Sequence, residues 1–225
     1  MGRPRKVLTL DIGGNKLKAH LQGDTQVRKA RTGPEFTPDD FLKAVRTVTR
    51  AWTFDAISIG YPGLVGESGP KAETQNLGRG WVGFDAEKAL GRPVRWVNDA
   101  GLQALGSYER DRMLFLGLGT GLGSSLVVDR RIVTLELGDL PYGDDTLGRM
   151  LGRRGLRRLG KKVWRKTLLQ VLPRLQRIFL ADDLVLGGGL SGEIRVIPLG
   201  VRIVSNVAAG RGGVRLWESP PWVLL

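Results

Sequence analysis

The hydrophobic positions of this chain fall into short apolar runs that end on glycine, with a few longer stretches in which apolar residues recur every three or four positions. The short runs read as strands. Residues 7–10 lead into Asp11-Ile12-Gly13-Gly14-Asn15-Lys16 and then into a second apolar stretch, which predicts a strand, a glycine turn and a strand. Residues 113–116, the segment Gly117-Leu118-Gly119-Thr120-Gly121-Leu122-Gly123 and residues 126–128 repeat that arrangement. Further strands are expected at 56–59, closed by Gly60-Tyr61-Pro62-Gly63, at 94–97, delivering Asn98-Asp99-Ala100, and at 184–186, ending on Gly187-Gly188-Gly189. The longer stretches read as helices. Thr37-Pro38-Asp39-Asp40 carries N-cap chemistry ahead of Phe41, Leu42, Val45 and Val48, Asp85 caps a short helix ending near Gly91, and a helix follows Asp99 over about 101–109. Residues 149–166 predict a helix with Leu151, Leu156, Leu159 and Val163 as its buried stripe, continuing over 167–179 with a bend or break near Pro173.

Length and composition narrow the class. A chain of 225 residues suits one compact unit of two lobes. Its formal net charge of +13, from 35 basic and 22 acidic residues, implies a positive field that attracts a polyanion. With no cysteine there are no disulfides, no cysteine-ligated zinc and no thiol nucleophile. The single histidine, His20, reads as an ordinary strand residue. No apolar run approaches the roughly 18–20 residues that cross a bilayer, and the apolar segment behind Lys6 is too short for a signal peptide, so a cytoplasmic protein without membrane partners is expected.

Candidate chemistry gathers at the glycines. Each glycine inside a strand costs about 0.5–1 kcal/mol against alanine, so a turn as rich in glycine as 117–123 suits a ligand that approaches the main chain, and a phosphate held by amide N–H groups is the natural one. The hydroxyls of Thr120, Ser124 and Ser125 would add donors, although a tight hairpin would carry the same glycines. In the first turn, Asp11 would serve Mg2+ or its waters and Lys16 would supply charge, unless the two form a solvated salt bridge. Asp99 either caps its helix or acts as a general base, which a chain with one histidine must draw from its carboxylates. Arg149, Arg153, Arg154, Arg157, Arg158, Lys161, Lys162, Arg165 and Lys166 form a cationic band, with 153, 157 and 161 on one face and 154, 158, 162 and 165 on the next. Such a band is either a solvated face or a track for inorganic polyphosphate. Nucleic acid fits the charge, but neither a helix-turn-helix pattern nor clustered aromatics accompany it.

The ordered set Asp11-Ile12-Gly13-Gly14, Gly60-Tyr61-Pro62-Gly63, Asn98-Asp99-Ala100, Gly119-Thr120-Gly121-Leu122-Gly123 and Leu186-Gly187-Gly188-Gly189 resembles the sugar kinases of the ROK (repressor, open reading frame, kinase) family. The lack of a cysteine-rich zinc motif, and an ending that runs from Val204-Ser205-Asn206 to Trp217, are most similar to polyphosphate glucokinases. The resemblance implies an α/β, two-lobed, actin-like ATPase (ribonuclease H-like) fold around a central cleft, with a smaller lobe over 1–97 and a larger one over 98–225. It implies phosphate-binding turns at Asp11, Gly13, Gly14, Asn15 and Lys16 and at Gly119, Thr120, Gly121 and Gly123, with Asp99 as catalytic base and Mg2+ at Asp11. Gly63, Asn76, Asn98, Asp99, Glu136 and Asp139 would hold the sugar, Gly187, Gly188 and Gly189 would form the nucleotide-side turn, and Arg153, Arg154, Arg157, Arg158, Lys161, Lys162 and Arg165 the polyphosphate track.

Two residues depart from the family pattern: Asn15 stands where a threonine is usual, and Asp139 where a histidine is usual. Three functions follow in order: a polyphosphate-dependent kinase converting glucose to glucose 6-phosphate, the same phosphotransferase with ATP, and a non-catalytic sensor of sugar or polyphosphate. A homodimer is the implied assembly, with the apolar tail 217–225, stiffened by Pro220 and Pro221, as a candidate for docking on the partner subunit.

Overall fold

The computed structural model describes residues 6–205 and 207–225, so Asn206 of the carboxy-terminal motif lies outside the described residues. In chain order the first half comprises β1 (Val7–Ile12), β2 (Lys16–Leu21), β3 (Val27–Arg31), α1 (Pro38–Val48), β4 (Ala56–Tyr61), a short hairpin of β5 (Val65–Gly66) and β6 (Gly69–Pro70), α2 (Ala86–Leu90) and β7 (Val94–Asn98). The second half comprises α3 (Asp99–Ser107), β8 (Met113–Leu118), β9 (Leu122–Val128), β10 (Arg131–Leu135), a short hairpin of β11 (Pro141–Tyr142) and β12 (Asp145–Thr146), α4 (Leu147–Leu151), α5 (Arg153–Ile178), β13 (Asp183–Gly187), β14 (Val201–Ile203), α6 (Ala208–Arg215) and β15 (Val223–Leu224).

The two halves repeat one design. The first sheet has the order β3-β2-β1-β4-β7, and the second, read from its β10 side, runs β10-β9-β8-β13-β14, with β15 added outside β10. In each, the first three strands are antiparallel and the last two join the central strand in parallel. Alternation decides the faces. Leu8, Leu10 and Ile12 of β1 and Leu17 and Ala19 of β2 pack with Phe41 and Val45 of α1 and with Trp81, whereas Thr9 and Asp11 turn to the other face. In the second half Leu114, Leu116, Leu184 and Leu186 pack against Trp164, Leu168 and Leu172 of α5.

Two helices cross between the halves. Although α3 leaves the last strand of the first sheet, it packs on β8, β9 and β10; α6 leaves the second sheet and returns to β1 and β4. Thr9 donates its hydroxyl to the Gly210 carbonyl (3.3 Å) and Ser58 to that of Gly213 (2.7 Å). The α3–α6 crossing is backbone on backbone. A Cβ on Gly106 would fall 1.7 Å from the Ala208 carbonyl oxygen, and one on Gly212 would fall 1.9 Å from that of Leu102. Three glycines in the eight residues of α6 make a poor isolated helix, so its existence depends on this seam.

The basic helix differs from expectation. Gly152 separates α4 from α5, and the backbone leaves helical geometry again at Gly160 (φ 70°, ψ 162°), a conformation suited to glycine. The break therefore lies at Gly160, and Pro173 sits inside a continuing helix. It shifts the phase of the apolar stripe. Val163 is 49% exposed, and Trp164, fully buried with its indole N–H donating to the Leu151 carbonyl (2.9 Å), takes its place. Residues 217–225 extend the chain's own sheet: β15 pairs in parallel with β10 and Arg130 stacks on Trp222, while Val223, Leu224 and Leu225 stay exposed at the outer edge. Among the described residues no helix is long and apolar enough to cross a membrane.

Because the methyl of an alanine cannot enter the α3–α6 seam, Gly212→Ala is expected to cost about 3 kcal/mol. The thermal unfolding midpoint should fall by roughly 6–12 °C. A midpoint equal to that of the parent chain would show that the seam yields without cost.

Candidate active site

The first glycine turn joins β1 to β2, closed by the Gly13 N–H on the Lys16 carbonyl (3.0 Å) and tied to the end of β3 by Thr32, whose N–H donates to the Asn15 carbonyl (3.2 Å). The second joins β8 to β9. The two turns meet, since the Asn15 amide Nδ2 donates to Thr120 Oγ1 across 3.3 Å. Asn76 packs on Gly14, and Gly60, at the carboxyl end of β4, abuts the Asp99 backbone. Ala100 lies against Gly123, so Asp99 sits between the end of β4 and the start of β9. Glu136 follows β10 directly, and the 3-10 turn Leu137–Asp139 behind it packs on the Leu122 carbonyl. The turn at Gly187, Gly188 and Gly189 lies under the second glycine turn: a Cβ on Gly188 would meet the Leu118 carbonyl at 2.3 Å, and the Leu190 N–H donates to that same oxygen (3.0 Å).

The glycines of the second turn and of the turn beneath it are not all there for the same reason. Gly188 is required by contact with Leu118, but Gly119 and Gly121 have open space where a Cβ would stand and no positive φ. The fold itself does not demand glycine at those two positions. What their glycines provide is a bare main chain facing the cleft, as an anionic ligand requires. The serines do not contribute as the sequence suggests. Ser124 is buried, donating to the Leu135 carbonyl (2.7 Å) and accepting from the Leu137 N–H (3.1 Å), and Ser125 is fully buried; only Thr120 remains exposed.

Charge is arranged around one lysine that the sequence reading passes over. Asp11 is almost wholly buried, and its partner is Lys18 (2.8 Å), its cross-strand neighbour on β2, rather than the exposed Lys16. The signal was available: a four-residue link between Ile12 and Leu17 places residue 18 opposite residue 11. Asp99 is half-buried. Desolvation, and then the neighbouring charge of Asp11, push its pKa up to about 7, against the opposing pull of the Ala100 N–H and Lys18. Glu136 is also raised, by desolvation and then by Asp139. Asn98 is engaged in the fold: its Oδ1 caps α3 at Ala100 (2.9 Å) and Gly101 (3.3 Å), and its Nδ2 donates to the Gly63 carbonyl (3.0 Å), leaving one amide hydrogen. No cluster of three metal-ligating side chains exists among the described residues, and Lys18 occupies Asp11 Oδ2. That donor set fits Mg2+ held mainly by waters and phosphate oxygens, with Asp11 reaching a metal-bound water; it does not fit a protein cage.

The basic helix begins at this site. The Arg153 N–H donates to the Gly119 carbonyl (2.9 Å), and Gly152 packs on Thr120 and Gly121. Part of its charge is neutralised within the fold: Arg158 pairs with Asp145 (2.9 Å), and Lys161 (2.8 Å) and Arg165 (3.8 Å) pair with Glu193. Among the described residues no carboxylate lies within 4.0 Å of Arg153, Arg154, Arg157, Lys162 or Lys166. The break at Gly160 means that 153 and 157 do not continue in phase to 161.

A carboxyl group whose pKa rises on folding holds its proton more tightly in the folded chain, so stability falls as pH climbs from about 4 to about 7 and levels off above. Asp99→Asn removes that ionisation. The variant should unfold at a higher temperature than the parent chain at pH 8, with the gap closing towards pH 4. A gap that does not change with pH would refute the buried-carboxylate assignment.

A family model described as ROK family matches residues 7–138, more than half of the chain. The polyphosphate glucokinase of Mycobacterium tuberculosis is 24% identical over 219 residues, covering 84% of this chain and 80% of that protein. N-acetylmannosamine kinase of Citrobacter koseri is 32% identical over 144 residues, 56% of this chain and 49% of its own length. Among solved structures, inorganic polyphosphate/ATP-glucomannokinase from Arthrobacter sp. strain KM aligns with a TM-score of 0.77 at 22% identity, covering 95% of this chain and 97% of that one. ROK hexokinase from Thermus thermophilus aligns with a TM-score of 0.62 at 20% identity, covering 93% and 97%. The chain belongs to the ROK family and has the two-lobed actin-like ATPase fold of its sugar kinases.

Proposed function

We propose that this chain transfers the terminal phosphoryl group of inorganic polyphosphate to a hexose hydroxyl, with glucose and its 6-hydroxyl as the first candidate acceptor. The observation that carries the reading is Asp99, a carboxyl with pKa raised to about 7, set beside Asp11 and between the end of β4 and the start of β9. Its carboxylate takes the proton from the acceptor hydroxyl as that oxygen attacks phosphorus; the P–O–P bond breaks and the shortened polyphosphate leaves. Asn76, Glu136 and Asp139, with the remaining amide hydrogen of Asn98, offer partners to the sugar hydroxyls, and Gly119, Thr120 and Gly121 offer backbone and hydroxyl donors to the phosphates. Mg2+, when bound, would neutralise phosphate charge beside Asp11 and Lys18.

Polyphosphate is favoured over ATP by Arg153, Arg154, Arg157 and Lys162, which pair with no carboxylate among the described residues, where α5 leaves the second turn. The second reading keeps the chemistry and takes ATP, and it draws on the turn at 187–189 next to Leu118. The names of the similar proteins support both donors, since one is a polyphosphate glucokinase and another a polyphosphate/ATP-glucomannokinase.

Purified protein tested with polyphosphate or ATP against a panel of hexoses should give a phosphorylated sugar from polyphosphate and glucose; product from no pair would favour a sensor. Asp99→Asn is expected to lower turnover by at least about 100-fold, and kcat/KM of the parent should rise with pH through about 7. Full activity in Asp99→Asn would sink the base assignment. Gly121→Ala, whose methyl enters open space, should leave the unfolding midpoint unchanged and raise KM for the donor about tenfold or more. A lowered midpoint with unchanged KM would mean that this glycine serves the fold.

A further inference from the structure

The β2–β3 ribbon carries a charge arrangement that the fold does not account for. Lys16 stands directly opposite Arg31, and Lys18 directly opposite Lys29, so two pairs of like charge face each other on adjacent strands. Opposed residues share a face, and so do alternate residues on one strand. All four cations therefore project from the same side of the ribbon as Thr9, Asp11 and His20. That side is the one on which α6 packs, through Thr9 and His20, and it runs up to the first glycine turn. The opposite side is filled by Leu17, Ala19, Leu21 and Ala30.

Like charges directly opposite destabilise a sheet. Here only Lys18 is compensated, by Asp11; among the described residues no carboxylate pairs with Lys16, Lys29 or Arg31, and all three are exposed. Two of the cations act on one buried group: the pKa of His20 is lowered first by burial and then, against Asp11, by Lys18 and Lys29. Protection of an edge strand accounts for part of this, because β3 ends its sheet and cations on an edge discourage pairing with other chains. It does not account for Lys16 and Lys18, which lie on the interior strand β2.

We propose that Lys16, Lys18, Lys29 and Arg31 form a binding surface for the distal phosphates of a linear inorganic polyphosphate whose reacting end lies at the first glycine turn. The inference rests on polyphosphate being the donor. Spacing suits a chain of closely set anions: alternate residues on a strand are about 7 Å apart and neighbouring strands about 4.8 Å. Arg31 adjoins Thr32, which is bonded to Gly13 and Asn15, so the surface is continuous with the turn. No phenylalanine, tyrosine or tryptophan lies on this face of the ribbon and His20 is buried against Gly210 of α6, so no exposed ring is there to stack a base, which favours polyphosphate over single-stranded nucleic acid.

The test is direct binding of medium-chain inorganic polyphosphate to the full chain by titration calorimetry across a range of salt concentrations. The parent is compared with Lys29→Gln/Arg31→Gln and with Lys29→Arg/Arg31→Lys. The glutamine variant is expected to bind at least tenfold more weakly, with a log–log salt slope shallower by roughly 0.7 per cation removed. Its unfolding midpoint should be no lower than the parent's, since a repulsion has been relieved. The charge-preserving variant should retain binding. Unchanged affinity and slope in the glutamine variant would overturn the proposal while leaving the donor reading intact. Equal binding of single-stranded DNA with the same sensitivity to the substitutions would overturn it in favour of a general polyanion face. A parent chain that turns over ATP yet binds no polyphosphate would overturn both readings.

Discussion

The constraint on which the rest of this structure depends is the crossing of α3 and α6 without intervening side chains. Each helix leaves one sheet and packs on the other, so neither half is complete alone, and the two sheets are held at a fixed relation by Gly106 on Ala208 and Gly212 on Leu102. That relation is what makes a site. Asp99 is the first residue of α3, and the cap on that helix, Asn98, is itself fastened to Gly63 at the end of the first sheet. The same helix presents Ala100 to Gly123 on the second sheet. A carboxylate positioned by one helix terminus is thereby referred to both lobes at once, which is the positioning that phosphoryl transfer demands of a protein.

Charge is then distributed with opposite sign inside and outside the cleft. Around Asp99 lie Asp11, Glu136 and, through Glu136, Asp139, with Lys18 as the half-buried cation among them. Desolvation, and then the neighbouring charge of Asp11, carries Asp99 up to about 7, and Glu136 is raised by desolvation and then by Asp139. The outer surface carries the large positive excess, on α5 and on the β2–β3 ribbon. On the proposed function, a polyanionic donor would be drawn by the outer field, while the reacting hydroxyl would meet an inner group able to accept a proton near neutrality.

Much of this was legible in the sequence because it is local. A strand, a glycine turn and a strand are decided by neighbours, and both hairpins form where alternation and turn chemistry place them, as does the capping box at Thr37. The features that escape the sequence are those decided by distant partners. Periodicity cannot see that Gly160 will adopt a positive φ and shift the phase so that Trp164, not Val163, meets Leu151. An eight-residue helix with three glycines carries no helical signal until Leu102 and Thr9 are brought against it. Lys18 was within reach, because counting back from the turn sets it opposite Asp11; the eye goes instead to Lys16, which is nearer the turn and exposed. The pKa of Asp99 belongs to the assembled cleft and to no segment of the chain.

The departure at residue 15 gains a structural role once distance is known. In sequence, an asparagine stands where threonine is usual. In the fold its amide extends one bond beyond the reach of a threonine hydroxyl and donates to Thr120 across the cleft at 3.3 Å. Thr120 accepts that bond with its oxygen, so its own hydroxyl hydrogen stays available to a ligand at the mouth of the turn. Because Asn15 lies on a turn tied to β3 by Thr32, and Thr120 on a turn tied to α5 through the adjacent Gly119, this one hydrogen bond also links the two cationic surfaces of the molecule. The substitution therefore exchanges a group that would act within one turn for one that joins both, at the place where the lobes face each other.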